Sequence, residues 1–186
     1  MCRECATRLV PEDGERVLDL PGGGSLPVDA LLRYDEASRP LVLALKNGNV
    51  RRLARRFGPS LALLVPPDTD IDVVTWPPTS PARRRQRGFD HAELLARHTS
   101  RSLGAPAQPT LRRTTVDAQH GRSADERRGG VHFAVRRSAT TASLPGTKVL
   151  IVDDVCTTGA TLTAAAEALR SAGAASVRGL VVAMAP

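Results

Sequence analysis

The chain has 186 residues and a formal net charge of +7, which is enough length for one well-filled hydrophobic core with a small appendage. Its five aromatic residues are too few for an aromatic stacking platform for single-stranded bases, and three cysteines are too few for a disulfide framework. No apolar stretch reaches the roughly 20 residues of a membrane-spanning helix and the N-terminus lacks a signal-peptide profile, so we expect a cytoplasmic protein without membrane insertion.

Arginine carries almost all of the positive charge, because lysine occurs only at Lys46 and Lys148. A guanidinium binds phosphate through a planar two-pronged fork, so this balance favours anionic ligands. A genome-wide bias toward arginine and alanine codons would give the same composition, and both explanations stay open at this point.

Residues 1–27 differ from the remainder and are interpreted as a C-x-x-C remnant followed by a linker. Cys2 and Cys5 form the C-x-x-C, and Pro21–Gly24 is typical of a loop. A structural zinc ion needs four ligands, and no other cysteine or nearby histidine completes a set, so we expect no bound zinc. Sharing of zinc between molecules is the alternative.

From Val28 onward the pattern predicts one domain, residues 28–186. Asn47-Gly48 is a helix stop signal and Gly104 closes a later helix. The elements predicted in the first half are a strand at 28–34, helices at 36–46 and 50–64, a central strand at 71–76, a basic loop at 77–88 and a helix at 89–103.

The second half alternates between strands and helices in the same way. Residues 110–130 are polar and basic, and a long loop of this kind inside a domain is often a functional lid. The other elements predicted are weak strands at 107–111 and 131–135, a buried strand at 148–152, a helix at 161–172 capped by Gly173, and a strand at 177–184. Strands separated by helices predict an α/β fold with a mostly parallel sheet flanked by helices.

The most informative motif spans residues 149–161 and reads V-L-I-V-D-D-V-C-T-T-G-A-T. An apolar run ends in two carboxylates, passes through a loop of small residues and opens an alanine-rich helix. The loop N–H groups and the helix N-terminus favour an anion, and open α/β sheets bind ligands at the carboxyl ends of their strands. The order of these features predicts a sugar-phosphate site.

This motif resembles the 5-phosphoribosyl-1-pyrophosphate (PRPP) motif of type I phosphoribosyltransferases. Three further segments, residues 41–48, 87–96 and 119–128, are similar to the ComF/ComFC competence proteins. The resemblance implies a type I phosphoribosyltransferase fold in which Cys2 and Cys5 are the remnant of a zinc knuckle. It also implies a Mg²⁺-dependent transfer of the phosphoribosyl group to an unidentified acceptor, linked to natural transformation and DNA uptake.

The resemblance assigns roles to the central motif. Asp153 and Asp154 would act in catalysis, hold the ribose hydroxyls and help to place Mg²⁺, as carboxylates accept hydrogen bonds and provide hard oxygen ligands. The residues expected around the 5-phosphate are Thr157, Thr158, Gly159, Ala160 and Thr161. The plain alternatives are two surface acids at a strand end and an ordinary helix N-cap. We expect Cys156 to be a small packing residue.

Three cations complete the expected site. Lys46 would meet pyrophosphate oxygens, or else complement the dipole at a helix end. Arg87 belongs to the R-G-F motif after a loop in which Trp76-Pro77-Pro78 replaces the more usual Val-Pro-Val-Pro. Arg113 is a catalytic candidate in a stretch that resembles the mobile loop closing over substrate. A solvated basic face and a loop without function are the alternatives.

Two classes of function are therefore compared. The first is an enzyme that uses PRPP and Mg²⁺. The second is a non-catalytic protein of the same fold that binds single-stranded DNA or a competence helicase, which the basic composition favours. A homodimer is expected only by analogy with type I transferases.

Overall fold

A computed structural model describes residues 10–47, 50–114, 130–136 and 144–186 of the chain. The strands are β1 (Arg16–Asp19), β2 (Ser25–Arg33), β3 (Val73–Thr75), β4 (Leu111–Thr114), β5 (His132–Val135), β6 (Lys148–Cys156) and β7 (Ser176–Met184). The helices are α1 (Arg39–Asn47), α2 (Val50–Ala62), α3 (Pro81–Arg87), α4 (His91–Leu103) and α5 (Ala160–Ser171).

The main sheet has five strands in the order β1-β2-β7-β6-β3. All neighbours are parallel except β1, which pairs with β2 in an antiparallel hairpin. Alternate residues of β6 face opposite layers, so Val149 and Ile151 pack with α5 while Leu150 and Val152 pack with α2 and α4. The expected mostly parallel sheet flanked by helices is confirmed.

A separate two-stranded ribbon, β4–β5, lies beside the main sheet. Its buried residues Leu111 and Phe133 join the core on the α5 side. The hydroxyl groups of Thr75 at the end of β3 and Thr110 just before β4 form a buried hydrogen bond of 2.7 Å. This bond ties the ribbon, and with it Arg113, to the edge of the sheet.

The β1–β2 hairpin occupies sequence that was expected to be linker. The Pro21–Gly24 segment connects two strands, and the hairpin forms two hydrogen bonds with α5. The Gly22 amide donates to Glu167 Oε1 at 2.7 Å, and Arg170 Nη1 donates to the Ser25 carbonyl at 3.3 Å. Residues 16–19 and 25–27 therefore belong to the sheet, and residues 20–24 connect them. The division of the chain into units 1–27 and 28–186 stays a prediction, and Cys2 and Cys5 lie outside the described residues.

Two of the predicted elements were wrong. The strand expected at the centre of the sheet is β3, but β3 lies at the end of the strand order. Among the described residues, its outer side forms only an isolated bridge from Val74 to Ala107. The basic loop expected at 77–88 contains the helix α3, which begins at the Ser80 N-cap and ends at Gly88 in the left-handed conformation.

Other predicted elements agree with the structure within a few residues, although β6 is longer and includes both acids. Most of the expected lid, residues 115–129, lies outside the described residues, and its first part forms β4. Within the described parts of the chain, no helix combines the length and the apolar character that crossing a membrane requires.

Candidate functional site

Two adjacent acids lie at the carboxyl end of β6, where the strand still pairs with β7. Asp153 is 8% exposed and Asp154 is 3% exposed, so both carboxyl groups are almost withdrawn from water. The Asp154 amide donates to Asp153 Oδ1 at 2.8 Å. Buried carboxyl groups require compensation by cations or hydrogen bonds, and the surrounding residues provide it.

Two basic side chains meet at one oxygen of Asp154. Lys46 Nζ lies 3.0 Å and His91 Nε2 lies 3.3 Å from Asp154 Oδ2. Burial opposes the ionisation of Asp154, but His91 and Lys46 outweigh it and hold the pKa of this carboxyl below its usual value. In return, the carboxylates of Asp154, Asp153 and Asp90 raise the pKa of His91 despite the burial of its ring.

Asp153 behaves in the opposite way. Burial, followed by the negative charge of Asp154, raises the pKa of Asp153 to about 8. At neutral pH the pair therefore holds one proton and one negative charge, as two coupled acids at short range do. One member can donate a hydrogen bond while the other only accepts.

Asp90 positions the helix that carries His91. Its Oδ1 accepts hydrogen bonds from the amides of Ala92 and Glu93, which is an N-cap of α4, and its Oδ2 accepts from the Thr79 amide at 2.8 Å. One buried carboxylate thus joins the start of α4 to the loop that leads from β3 to α3. His91, the first residue of α4, is fixed next to Asp154 as a result.

The phosphate-loop candidate connects β6 to α5. Gly159, the N-cap of α5, has φ +79° in the left-handed region and makes no side-chain cap, while Thr158 Oγ1 accepts a hydrogen bond from the Ala160 amide at 3.4 Å. The Leu18 side chain of β1 packs where a side chain at position 159 would project. Thr157 and Thr158 are exposed, and the hydroxyl of Thr163 donates to the Gly159 carbonyl at 3.2 Å.

These groups face a pocket of about 390 Å³. Its acidic floor is Asp153 and Asp154, and its cations come from four separate elements: Lys46, Arg83, Arg87, His91 and Arg113. Arg83 and Arg87 lie one turn apart on α3, so both guanidinium groups reach the same face. A concave site with opposed acids and cations suits a ligand that carries hydroxyl groups as well as phosphates.

The structure brings together most of the residues predicted from the sequence. Those that line the pocket are Lys46, Arg87, Arg113, Asp153, Asp154, Thr157 and Thr161. Thr158, Gly159 and Ala160 shape the loop but do not line the pocket. Cys156 is buried in the core and burial raises the pKa of its thiol, which confirms its packing role.

Sequence reasoning missed two contributors, His91 and Phe133, that also line the pocket. His91 belongs to the R-G-F-D-H segment, where the D-H pair before a helical pattern was the available signal for an N-cap beside a functional histidine. Phe133 gave no signal, because it comes close only through its pairing with Arg113 across the β4–β5 ribbon.

The acid pair fits a divalent cation. Ligand atoms of His91, Asp153 and Asp154 all lie within 4.8 Å of one another. Asp154 Oδ2 is fully buried and makes no hydrogen bond of good geometry, although two basic groups approach it. Carboxylate oxygens are the ligands that Mg²⁺ prefers, so the donor set is compatible with this ion.

Comparisons with known proteins identify the family of the chain. The Phosphoribosyl transferase domain family matches residues 91–186. The chain is 33% identical over 98 residues to Competence protein F of Haemophilus influenzae and 34% identical over 114 residues to the DNA utilization protein YhgH of Escherichia coli O157:H7. These matches cover 52% and 60% of this chain but only 43% and 47% of the relatives, so the chain spans just under half of their length.

Solved structures with the same fold include two relatives at 18% identity. One is described as the allosteric regulatory enzyme of purine biosynthesis, with a TM-score of 0.52. The other is the glutamine PRPP amidotransferase of B. subtilis, with a TM-score of 0.50. Each likeness covers 92% of this chain and 36% of the other, and it establishes the architecture.

Proposed function

The chain belongs to the Phosphoribosyl transferase domain family, and from this premise we propose that its pocket binds PRPP with Mg²⁺ and transfers the phosphoribosyl group to an acceptor. The observation that carries the proposal is the convergence of a buried acid pair, a glycine-capped threonine loop and cations from four elements on one pocket. The identity of the acceptor is open.

The acid pair is suited to the two hydroxyl groups of a ribose. Asp154 is ionised and accepts a hydrogen bond, whereas Asp153, with a pKa of about 8, is protonated and can also donate one. Both acids are fixed by the strand that carries them, so the ribose would be oriented without large rearrangement.

The phosphates would lie on either side of the ribose. Thr157 and Thr161 line the pocket at the start of α5, where hydroxyl groups, backbone N–H groups and the helix dipole favour the 5-phosphate. Arg83 and Arg87 of α3 and Arg113 of β4 also line the pocket and would hold the pyrophosphate. Asp153 and Asp154 would help to hold Mg²⁺, and that ion would provide positive charge beside the pyrophosphate.

In the transfer, the bond between ribose C1 and the pyrophosphate oxygen breaks, its electron pair leaves with the pyrophosphate, and C1 forms a bond to the acceptor nucleophile. The transition state resembles an oxocarbenium ion, as in other glycosyl transfers. The arginines stabilise the negative charge that develops on the leaving group, while Asp154 stabilises the positive charge on the sugar.

Calorimetric titration with PRPP and Mg²⁺ tests the binding step. The double substitution Asp153→Asn with Asp154→Asn keeps the shape of the pair but removes its charge, and we expect a loss of at least about tenfold in affinity. Asp70→Asn is the matched control, because Asp70 is an exposed acid that pairs with Lys148 away from the pocket. Equal PRPP affinity in the double variant and the control would refute the proposed role.

Transfer is tested by pyrophosphate release from PRPP over a panel of nucleobases and amines. Arg113→Gln should lower the rate of release more than it weakens PRPP binding if Arg113 acts mainly in the transition state. A protein that binds PRPP but releases no pyrophosphate with any acceptor would favour the non-catalytic alternative.

A second function is favoured by an independent surface. Helix α2 exposes four arginines that do not line the pocket, Arg51, Arg52, Arg55 and Arg56. Regularly spaced cations suit a nucleic-acid backbone. Since two relatives are named for competence and DNA utilization, we propose that the chain acts in DNA uptake and contacts single-stranded DNA here. A competence helicase and a homodimer stay predictions.

Fluorescence anisotropy with a single-stranded oligonucleotide tests this contact. Replacing the four α2 arginines by glutamine should weaken binding and flatten its dependence on salt, because fewer counterions are released. Replacing four other exposed arginines that lie outside α2, namely Arg39, Arg112, Arg136 and Arg170, is the control for net charge. Equal loss in both variants would show that only overall charge matters, and competition by PRPP would place DNA in the pocket instead.

A further inference from the structure

The feature that the proposed function leaves unused is Arg16 of β1, which does not line the pocket. Its Nη1 donates a partly buried hydrogen bond of 2.6 Å to the carbonyl of Ala185, the residue that follows β7. The Ala185 amide in turn donates to the Cys156 carbonyl at 2.8 Å, and Cys156 is the last residue of β6 before Thr157. Two consecutive hydrogen bonds therefore connect the β1–β2 hairpin to the start of the β6–α5 loop.

A second side chain of β1 contacts the other end of the same loop. Leu18 lies two residues after Arg16, so both side chains project from one face of the strand, and both are half-buried whereas Val17 between them is exposed. Leu18 packs against Gly159, since a Cβ atom there would lie 2.8 Å from Leu18 Cδ1. A single strand therefore holds both ends of the loop 157–159.

The hydrogen bond to Ala185 is the closest contact of the Arg16 guanidinium. Glu12 Oε1 lies 3.9 Å from Arg16 Nη2, while Glu12 Oε2 is buried, makes no hydrogen bond of good geometry and lies 3.7 Å from Arg33 Nε. Burial raises the pKa of the Cys156 thiol and the positive charge of Arg16 opposes this, so the guanidinium lies near the start of the loop. The carbonyl of Ala185 therefore does more than Glu12 to fix the position of Arg16.

Side chains of the loop itself cap α5 only weakly. Gly159 makes no side-chain cap, and the hydrogen bond from the Ala160 amide to Thr158 Oγ1 is long, at 3.4 Å. Backbone N–H groups at a helix N-terminus bind a phosphate when they point at it together, and groups that are fixed in advance bind more tightly because less conformational freedom is lost. Contacts from outside the loop should therefore matter for its affinity.

We propose that Arg16 is a positioning residue for phosphate binding, which acts through Ala185 on the start of the loop 157–159 while Leu18 supports its end. Loss of the guanidinium leaves the Ala185 carbonyl without its donor, so the end of β7 and the Cys156 carbonyl bonded to it become less fixed. The inference deepens the proposed function and rests on it for the identity of the phosphate ligand. It gives the hairpin, which precedes the family match at residues 91–186, a part in ligand binding.

Calorimetry of the full chain with two probes tests this role. PRPP with Mg²⁺ carries a 5-phosphate for the loop, whereas inorganic pyrophosphate with Mg²⁺ would engage only the arginines of α3 and β4. Arg16→Met removes the guanidinium but keeps the length of the side chain, and Arg16→Lys retains a cation that can donate to Ala185. Arg33→Met is the matched control, because it removes the same charge beside the same Glu12.

We expect Arg16→Met to weaken PRPP binding by about three- to thirtyfold, the range usual for residues that modulate binding without touching the ligand, and to change pyrophosphate binding much less. Arg16→Lys should recover most of the PRPP affinity, and Arg33→Met should retain it. Equal PRPP affinity in the Arg16→Met and Arg33→Met proteins overturns the inference. An equal loss for the two probes also overturns it, because it would indicate general damage to the pocket.

A second pair of variants covers the case in which Arg16→Met fails to fold, as judged by circular dichroism. Leu18→Ala then tests the other contact, and Val17→Ala, on the opposite face of β1, is its control. A Leu18→Ala protein that binds PRPP as tightly as the Val17→Ala protein overturns the inference.

Hydrogen exchange of the Ala185 amide, measured without ligand, separates the two proposals. We expect faster exchange in the Arg16→Met protein than in the Arg33→Met protein, because the bond from this amide to the Cys156 carbonyl becomes less stable. A wild-type protein that does not bind PRPP refutes the proposed function. In that case faster exchange supports the positioning role of Arg16, and equal exchange overturns it as well.

Discussion

Leu18 of the N-terminal hairpin packs directly against Gly159 of the β6–α5 loop. A Cβ atom at position 159 would lie 2.8 Å from Leu18 Cδ1, closer than such atoms normally approach, and the backbone of Gly159 is in the left-handed region with φ +79°. The glycine is therefore required both for its conformation and for the space above it. A residue far from the β6–α5 loop in sequence thus supports the shape of that loop.

Replacement of Gly159 by alanine should damage both the fold and the site. The left-handed backbone costs a residue with a side chain about 1–2 kcal/mol, and the contact with Leu18 adds to this cost. We expect a lower midpoint of urea denaturation and weaker PRPP binding. Gly88→Ala is the control, because Gly88 has φ +75° but no atom within 4 Å of the new Cβ. If both variants lose the same stability and neither loses PRPP affinity, the Leu18 contact has no functional role.

The stability of the metal-free protein should depend on pH through the acid pair. The pKa of Asp153 is raised from 3.8 to about 8, so its contribution is full at low pH and is lost as the pH rises through about 8. His91, whose pKa is also raised, acts in the same direction, whereas Asp154, whose pKa is lowered, loses its contribution in acid.

We therefore expect the free energy of unfolding to fall between about pH 4, near the ordinary pKa of Asp153, and about pH 8, its pKa in the folded protein. Asp153→Asn removes the charge that must form in the buried site, and should stabilise the protein relative to wild type by at least about 1 kcal/mol at the upper end of this range. Chemical denaturation in the presence of a chelator measures it, with Asp70→Asn as the exposed control. A steeper fall in the Asp153→Asn protein would contradict the assigned protonation state.

Asp90 should be important for stability and for ligand binding at once. Asp90→Ala removes the N-cap of α4 and the acceptor of the Thr79 amide, and we expect a loss of about 1–3 kcal/mol. Asp90→Asn retains an oxygen acceptor and should recover most of it. Ser80→Ala is the control, because its cap of α3 is long, at 3.4 Å, and exposed. Equal thermal stability of the Asp90→Ala and Ser80→Ala proteins would show that the two-sided role of Asp90 is wrong.

Substitutions at Thr75 and Thr110, whose hydroxyl groups form a buried hydrogen bond, should have non-additive effects on the free energy of unfolding. Either single change to valine leaves one buried hydroxyl without its partner and should cost about 1–3 kcal/mol, whereas the double change removes both polar groups and should cost less than the sum. Urea denaturation of the four proteins measures the coupling. Strictly additive losses would mean that each hydroxyl has another adequate partner.

Local sequence signals were sufficient to predict the elements that carry the central motif. The apolar run of β6 and the Gly159 start of α5 are neighbours in sequence, and α4 is bounded by Asp90 and Gly104 at its ends. The helix α3 had equally local signals, Ser80-Pro81 at its start and Gly88 at its end. It was nevertheless interpreted as a loop, because a short helix with no buried residue has no apolar periodicity to detect.

Other features depend on contacts between distant segments. The apolar sequence of β3 indicates that Val73 and Val74 are buried, as they are in the structure. It does not indicate which strands lie beside β3, so the position of β3 at the end of the strand order was missed. The contacts of Lys46 and His91 with Asp154 join parts of the chain that only the parallel crossovers bring together. The sequence around His91 does not indicate that its ring contacts Asp154.

The strand order also limits how the chain can be divided for study. The family match begins at residue 91 and contains β6 and β7, but β2 and β3, which flank this central pair, come from residues before it. A recombinant piece that starts at residue 91 would leave both backbone edges of the pair unpaired and would strip α2 from the buried side of Leu150 and Val152. We expect such a piece to self-associate through its open edges, so expression trials should retain the hairpin that begins at Arg16.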